Sequence, residues 1–545
     1  MKTILLFILI FISGFSFSQN IVEPERIDHS VQKNHLNKIV FLDKVTPLEN
    51  LKETDLAETM VFQEDKDFDI RVFMDNSLVN YLHQLDSSLS ADDLLKKGNY
   101  QFSFIVDGKL IYTENLNSGA GTADSKKFKT TFRIPFLSSK NEDSWGKYMW
   151  MRFYLAHGGT DAMNEGNHTI KIEIRPYLKT SSVKVGNIIA AGEIHLTVPH
   201  KTISEKQIAV QKIQPDRDWK VSDEQFDKEK IKALNQKIAE TRFRDITGIV
   251  VIKNGKLLVE EYFNGYKRDS LHDTRSVGKS FSSALMGIAI RDGYIKNENQ
   301  SLKEFYDVKK FSNYSFKKDS VTIKSLLTMS SGFDGNDQDE DSPGNEENMY
   351  PTENWVKFVL DLPMTENKIG KIWNYFTAGV VLTGDILDIS IPEGLQNYAN
   401  KKLFQPLGIT NYKWQLTPQQ KPSLAGGLRM NALDFAKFGQ LYKNNGTWNG
   451  KRILDKNWIK KSFTNYFTGY KDFEGYGYLF WRKVYKVGNK SFESYQSSGN
   501  GGNKIIVFKE IPVVIVVTAK AYNKPYAHVQ VEKIVEEYVL PAIIE

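Results

Sequence analysis

From residue 222 to Glu545, strand-forming sequence is confined to the two ends of the region, and this limits the fold more than any other feature of the chain. At the near end, Ile249-Val250-Val251-Ile252 and Leu257-Leu258-Val259 flank Asn254-Gly255. Asn and Gly tolerate the positive φ that a tight turn demands, so this stretch reads as a β-hairpin. At the far end, Lys504-Ile505-Ile506-Val507-Phe508 and Val513 to Thr518 are separated by a turn near Glu510 to Pro512, and a last helix is expected around Val529 to Leu540. The stretch between, from Ser276 to about residue 460, is helix-rich. The economical arrangement is one antiparallel sheet built from both ends, with helices packed on it and a helical subdomain inserted. A site would fall in the cleft between sheet and helical part.

Upstream the period changes from helical to two. Tyr100, Phe102 and Phe104 alternate with polar neighbours, as do Ile170, Ile172 and Ile174, and Ile194, Leu196 and Val198. With Gly119-Ala120-Gly121 and Gly158-Gly159 as punctuation, this predicts an all-β, sandwich-like domain over about 25–205, with one helical segment at Ser87 to Lys97. The polar, proline-marked stretch 206–221 is the expected linker. Ser222-Asp223-Glu224-Gln225 has the form of a capping box opening a helix through Phe226, Ile231, Leu234 and Ile238. The expected fold class is therefore α+β over 222–545, preceded by the β-domain; 545 residues are enough for two cores.

The first residues differ from both regions. Lys2 precedes an apolar run from Ile4 to Ile12, and small residues lead to a plausible cut after Ser18. This predicts a secretory signal over 1–18, an uncleaved anchor being the alternative, and a mature protein in the periplasm or outside the cell. No later run approaches the roughly 18 apolar residues of a membrane span. The chain has no cysteine, so export brings no disulfide. A net charge of +6 without a dense basic cluster argues against a nucleic-acid partner.

Chemistry is concentrated in Arg275-Ser276-Val277-Gly278-Lys279-Ser280-Phe281, at the start of an apolar helix pattern. Residues three apart on a helix share a face, with Cβ atoms roughly 5–6 Å apart. A serine hydroxyl needs a base within hydrogen-bond reach, and a lysine serves if its surroundings favour the neutral amine. A helix N-terminus adds partial positive charge where an oxyanion would form. Taken alone, the tetrad reads better as a helix-start serine followed by a solvated lysine than as a catalytic pair. Other constellations are weaker. Seven of the nine histidines lie between His29 and His200 without metal-ligand spacing. Downstream there are only His272 and His528, and no Gly-x-Ser-x-Gly surrounds Ser276, against a Ser-His-Asp hydrolase. Gly278-Lys279-Ser280 mimics a phosphate-binding loop, but Asp273 stands where that loop needs glycine. Neither metal nor cofactor is called for.

Several ordered blocks extend the pattern. Thr274 to Phe281 is followed by Thr322 to Gly332, by Trp373-Asn374-Tyr375-Phe376-Thr377 leading into Leu382 to Leu387, by Leu403 to Ile409, by Gly426 to Met430, and by Ser497-Ser498-Gly499-Asn500-Gly501-Gly502-Asn503. In this order they resemble the serine β-lactamase-related hydrolases, the group of class C β-lactamases, D-Ala-D-Ala carboxypeptidases, family VIII esterases and 6-aminohexanoate-oligomer hydrolases. The resemblance implies Ser276 as acylated nucleophile, Lys279 and Tyr375 as general base and acid, and the backbone N–H groups of Ser276 and Asn500 as oxyanion hole. Tyrosine ordinarily ionises near pH ~10, so a cationic neighbour is needed for the phenolate to act. It also implies substrate contacts at Ser497, Ser498, Gly499 and Thr377, with the glycines at 499, 501 and 502 letting substrate approach closely.

Two positions depart from the family pattern. Thr377 replaces an asparagine, and Ser497-Ser498-Gly499 replaces Lys-Thr-Gly, whose lysine receives a substrate carboxylate. The expectation is thus an exported serine hydrolase of a small-molecule ester or amide. The alternatives are β-lactamase or D-Ala-D-Ala carboxypeptidase activity and, in another class, a non-catalytic protein binding cell-wall ligands. Arg429 is expected to be structural, and the partner of the β-domain is left unassigned.

Overall fold

The computed structural model describes residues 20–544 apart from 64–65, 118, 140–143, 201 and 470–473; the expected secretory signal, 1–18, lies outside the described residues. The chain forms two units, Met1–Thr202 and Ile203–Glu545.

In the first unit the period-two segments pair as read. A six-stranded sheet runs in the order Thr59–Val61, Ala190–Val198, Gly166–Lys179, Gly98–Val106, Lys109–Asn115, with Val183–Val185 added to Gly166–Lys179. A second sheet has Ile39–Leu42, Phe68–Phe73 and Thr131–Leu137. Phe102, Phe104, Ile172 and Ile194 of the first share one core with Ile70, Val72 and Phe136 of the second. The unit is not all-β. The expected helix is present as Ala91–Lys97, capped by Ser90, but Leu78–Leu85 and Trp145–Met151 are helical too. Two turns are too few for a 3.6-residue period to stand out from the alternation around it. The second of these helices delivers Trp150, 1% exposed, to the centre of the core, stacked on Phe136 at 5.0 Å and edge-on to Phe68 at 5.1 Å.

In the second unit the two ends of the region meet in one seven-stranded sheet. Its order is Lys256–Tyr262, Ile246–Lys253, Val513–Ala519, Asn503–Phe508, Lys490–Gly499, Trp481–Val487, Gly475–Tyr476, all antiparallel. The join is the pairing of Ile246–Lys253 with Val513–Ala519, Val250 opposite Val516. Asn254 and Gly255 have φ of 52° and 72°, as the hairpin turn requires. Both faces of the sheet are covered, hence the unbroken apolar runs. Val250, Ile505, Val507, Val514 and Val516 pack under the helix Ala432–Lys443, whose Gly439 lies directly on Val514 and Ile505; Ile249, Val251, Ile506, Ile515 and Val517 pack under Lys228–Ala239 and the C-terminal helical turns.

Two boundaries move. The helix expected from Ser222 begins at Lys228, with the Asp227 carboxylate accepting from Lys230 N–H; Ser222 N–H instead donates to Leu257 O at the sheet edge, at 2.8 Å. The expected linker 206–221 belongs to the second unit. Gln211 N–H donates to Glu261 Oε1 at 2.8 Å, and Trp219 is 3% exposed, edge-on to Trp448 at 5.3 Å. Burying an indole offsets the cost of ordering a proline-marked strand of chain.

Candidate active site

Ser276 lies in a short 3-10 turn, Arg275–Val277, that runs directly into the helix Gly278–Arg291. The turn is set by Arg275, whose φ of 51° is in the left-handed region, unfavourable for a residue with a Cβ by roughly 1–2 kcal/mol. Two close backbone approaches fix it in place. A Cβ on Gly499 would lie 1.9 Å from Thr274 O, and one on Gly278 would lie 3.3 Å from Gly426 Cα. Gly499 therefore makes room for the turn that carries Ser276. Gly501 and Gly502, both at φ 90°, likewise yield to Tyr522 and to Ala527 O.

Lys279 is 2% exposed, and its ammonium donates to Ser276 Oγ at 2.7 Å and to Ala425 O. The same Nζ lies 5.3 Å from the centroid of the Tyr375 ring, within cation–π range. Tyr375 is gripped from both sides. Asn374 N–H donates to Met329 O at 2.9 Å, Phe376 N–H to Met329 Sδ at 3.2 Å, and Tyr375 O accepts from Asp337 N–H at 2.8 Å. Its ring stacks on Trp481 at 5.6 Å. Asp337 closes the back of this segment: Oδ2 accepts from Thr377 N–H at 2.7 Å and Oδ1 from Glu346 N–H at 2.9 Å, placing a carboxylate at the start of the helix Thr377–Ser390. Burial and the neighbouring Glu346 raise the Asp337 carboxyl, while its bonds from Thr377 and the nearby Lys279 charge pull it back down.

Outside Gly, Asn and Asp, the described residues with left-handed φ are Thr241, Arg275, Met329, Gln420 and Leu479. Three of these serve the site. Arg275 precedes the serine, Met329 grips the tyrosine, and Leu479 O accepts from Ser280 Oγ at 2.7 Å on the helix that follows Ser276. Strain of this kind persists where surrounding structure over-determines it, and it gathers at functional sites.

The strand Lys490–Gly499 forms one wall. Its pairing with Trp481–Val487 stops at Gln496, opposite Trp481, while its pairing with Asn503–Phe508 continues to Gly499, opposite Asn503. Among the described residues, then, Ser497, Ser498 and Gly499 have one edge without a partner strand. Such an edge can take an extended ligand backbone. Ser497 is 1% exposed and its Oγ has no partner among the described residues; Ser498 is half-buried. Thr377 is also buried, at 3%. The side chain of Asn500 is tied to Asn523, donating to Oδ1 at 2.6 Å and accepting from its N–H at 2.9 Å.

Several neighbours were not legible as site residues. Asp337 and Trp481 stand alone in sequence, one in a polar loop and one at a strand start. Lys504 read as the end of an apolar strand, yet it sits opposite Ser498 with Nζ 3.4 Å from Ser498 Oγ, and burial pushes its ammonium down to about 8. Arg429 pairs with Asp273, Nη2 to Oδ2 at 3.1 Å, tying together the two short strands ahead of Ser276 and after Gly427. His272 is taken up by Thr247 Oγ1 at 3.1 Å and by stacking on Tyr266, and burial pushes it down to about 4. A cavity of about 200 Å³ between Phe311, Val381 and Pro422 lies within the helical part and includes none of these groups.

Serine, buried lysine and clamped tyrosine at the end of an antiparallel sheet, with a helical insertion on one face, define a serine hydrolase of the β-lactamase/transpeptidase-like fold. The family model described as Beta-lactamase matches residues 234–536, more than half of the chain, and the protein belongs to that family. Similar solved structures include an octameric penicillin-binding protein homologue from Pyrococcus abyssi, 19% identical, covering 56% of this chain and 76% of that one with a TM-score of 0.45. A penicillin binding protein from Bacillus halodurans is 15% identical, covering 53% and 97%, TM-score 0.43. A family VIII carboxylesterase is 14% identical, covering 55% and 94%, TM-score 0.43. No curated protein matches the chain.

Proposed function

We propose that the protein is an exported hydrolase that cleaves a small ester or amide through an acyl-enzyme on Ser276. The observation that carries this reading is the 2.7 Å contact of the buried Lys279 Nζ with Ser276 Oγ, beside the clamped ring of Tyr375. In the reaction, the Lys279/Tyr375 pair takes the Ser276 proton as Oγ attacks the substrate carbonyl. The tetrahedral oxyanion is received by the N–H groups of Ser276 and Asn500, a fixed pair of dipoles that needs no reorganisation. The same pair protonates the leaving group, and water, deprotonated in turn, releases the acyl group. Export is supported by the composition of residues 1–18.

The test is turnover of p-nitrophenyl acetate and butyrate, nitrocefin and a D-alanyl dipeptide by the mature protein and by Ser276→Ala. Ester turnover in the parent is expected, with at least a ~10³-fold loss in the variant and little nitrocefin cleavage. Rapid nitrocefin or dipeptide cleavage would replace the ester reading and give Lys504, beside Ser498, the role of the missing motif lysine. Absence of turnover together with absence of labelling by a fluorophosphonate would sink the enzyme reading in favour of ligand binding.

A further inference from the structure

Arg275 occupies a backbone position that favours glycine, and the chain keeps a long cationic side chain there, immediately before Ser276. That side chain is oriented. Its guanidinium lies 4.8 Å from the centroid of Tyr522, a ring held by its hydroxyl donating to Asp273 O at 2.7 Å and packed over Gly501. Gly501 follows the unpaired edge Ser497–Gly499 by two residues, so Tyr522 and Arg275 stand at the end of that edge. The guanidinium is also incompletely neutralised. Its Nε is 3.7 Å from Asp273 Oδ1, beyond hydrogen-bond length, and the other oxygen of that carboxylate is taken by Arg429. Two guanidinium groups thus share one carboxylate, and both remain open to solvent, at 49% and 55% exposure.

We propose that Arg275 is a specificity-determining residue that receives an anionic group of the substrate, so that the preferred esters or amides carry a carboxylate or similar anion near the scissile bond. A planar guanidinium presented on an aromatic face matches a carboxylate bidentately. The inference rests on the acyl-serine reading and narrows its substrate class.

Two matched pairs of esters test it, one with the charge in the leaving group (4-carboxyphenyl against 4-carbamoylphenyl acetate) and one with it in the acyl group (phenyl hydrogen adipate against phenyl adipamate). The readout is the ratio of kcat/KM for the charged over the neutral member. In Arg275→Asn, a neutral residue that tolerates left-handed φ, the ratio in at least one pair is expected to fall about tenfold or more. Arg275→Lys should restore part of it, and added salt should lower it in the parent. Ratios within about twofold of the parent in both pairs would overturn the inference while leaving the acyl-serine reading intact. No turnover of any of the four esters, together with no fluorophosphonate labelling of Ser276, would overturn that reading, and this inference with it.

Discussion

The two units hold themselves together by different means. In the first, the described non-glycine residues with left-handed φ are Asn37 and Asp107, types that adopt it readily, and the core is a regular cluster around Trp150. In the second, Arg275, Met329 and Leu479 are forced into the same region, and backbone meets backbone at Gly499 and Gly278. The first unit has a close backbone approach of its own, a Cβ on Gly192 lying 2.0 Å from Ile39 O, but it joins strand to strand and holds no strained non-glycine turn outside Asn37 and Asp107 among the described residues. The second is ordered around Ser276 by contacts that a single methyl group would break. Local strain there holds the Ser276 hydroxyl at one place beside Lys279 and Tyr375.

Gly499→Ala should separate the two modes most sharply. Its methyl group would stand 1.9 Å from Thr274 O, a backbone atom that cannot rotate away, so the Ser276 turn must shift. A displacement of that order costs about 100-fold or more in kcat/KM, measured on whichever ester the parent turns over. An unchanged rate would show that the turn is not clamped by the strand. Trp150→Ala should act through stability: about 3–5 kcal/mol lost from the first unit, read as a lowered denaturant midpoint for that unit's unfolding transition. A shift under about 1 kcal/mol would mean that the aromatic cluster re-packs freely.

Lys504 gives the effect with the least intuitive sign. Its folded pKa, about 8, is below the ordinary lysine value, so the buried charge is a penalty. That penalty is full below pH 8 and is relieved as pH rises from 8 towards 10.5, because the unfolded state then holds more protons. Over the full shift it amounts to about 3 kcal/mol. Lys504→Met should therefore be more stable than the parent at pH 7 and should lack the parent's gain between pH 8 and 10.5. A destabilised variant would mean that the ammonium is paired more strongly than its 3.4 Å contact with Ser498 indicates.

What could be read from sequence and what could not follows from the range of the interactions. The Asn254-Gly255 hairpin, the apolar terminal strands and the Ser276/Lys279 spacing are local, written in neighbouring residues. The order of the blocks added Tyr375 through resemblance. The pairing of Ser498 with Lys504, the Asp337 bonds to Thr377 and Glu346, and the stacking of Trp481 on Tyr375 depend on register and loop path, which no local pattern encodes. The helix start at Lys228 was missed for a related reason. Ser222 has the composition of a cap, but its N–H is claimed by Leu257, 35 residues on and across a strand edge.

The position of Val513–Ala519 in the middle of the sheet has a consequence for the order of events during synthesis. The hairpin at 246–262 finds its neighbour only after residue 519 exists, as the Thr247–Thr518 hydroxyl contact, 271 residues apart in sequence, illustrates. Until then the strands from Gly475 to Phe508, which pair among themselves, lack the strand that joins them to the hairpin. Folding of this unit is dominated by distant pairings, which form late and slowly. A chain of this design keeps the two ends of its sheet apart while it is being made, and they are joined only when the strand Val513–Ala519 arrives.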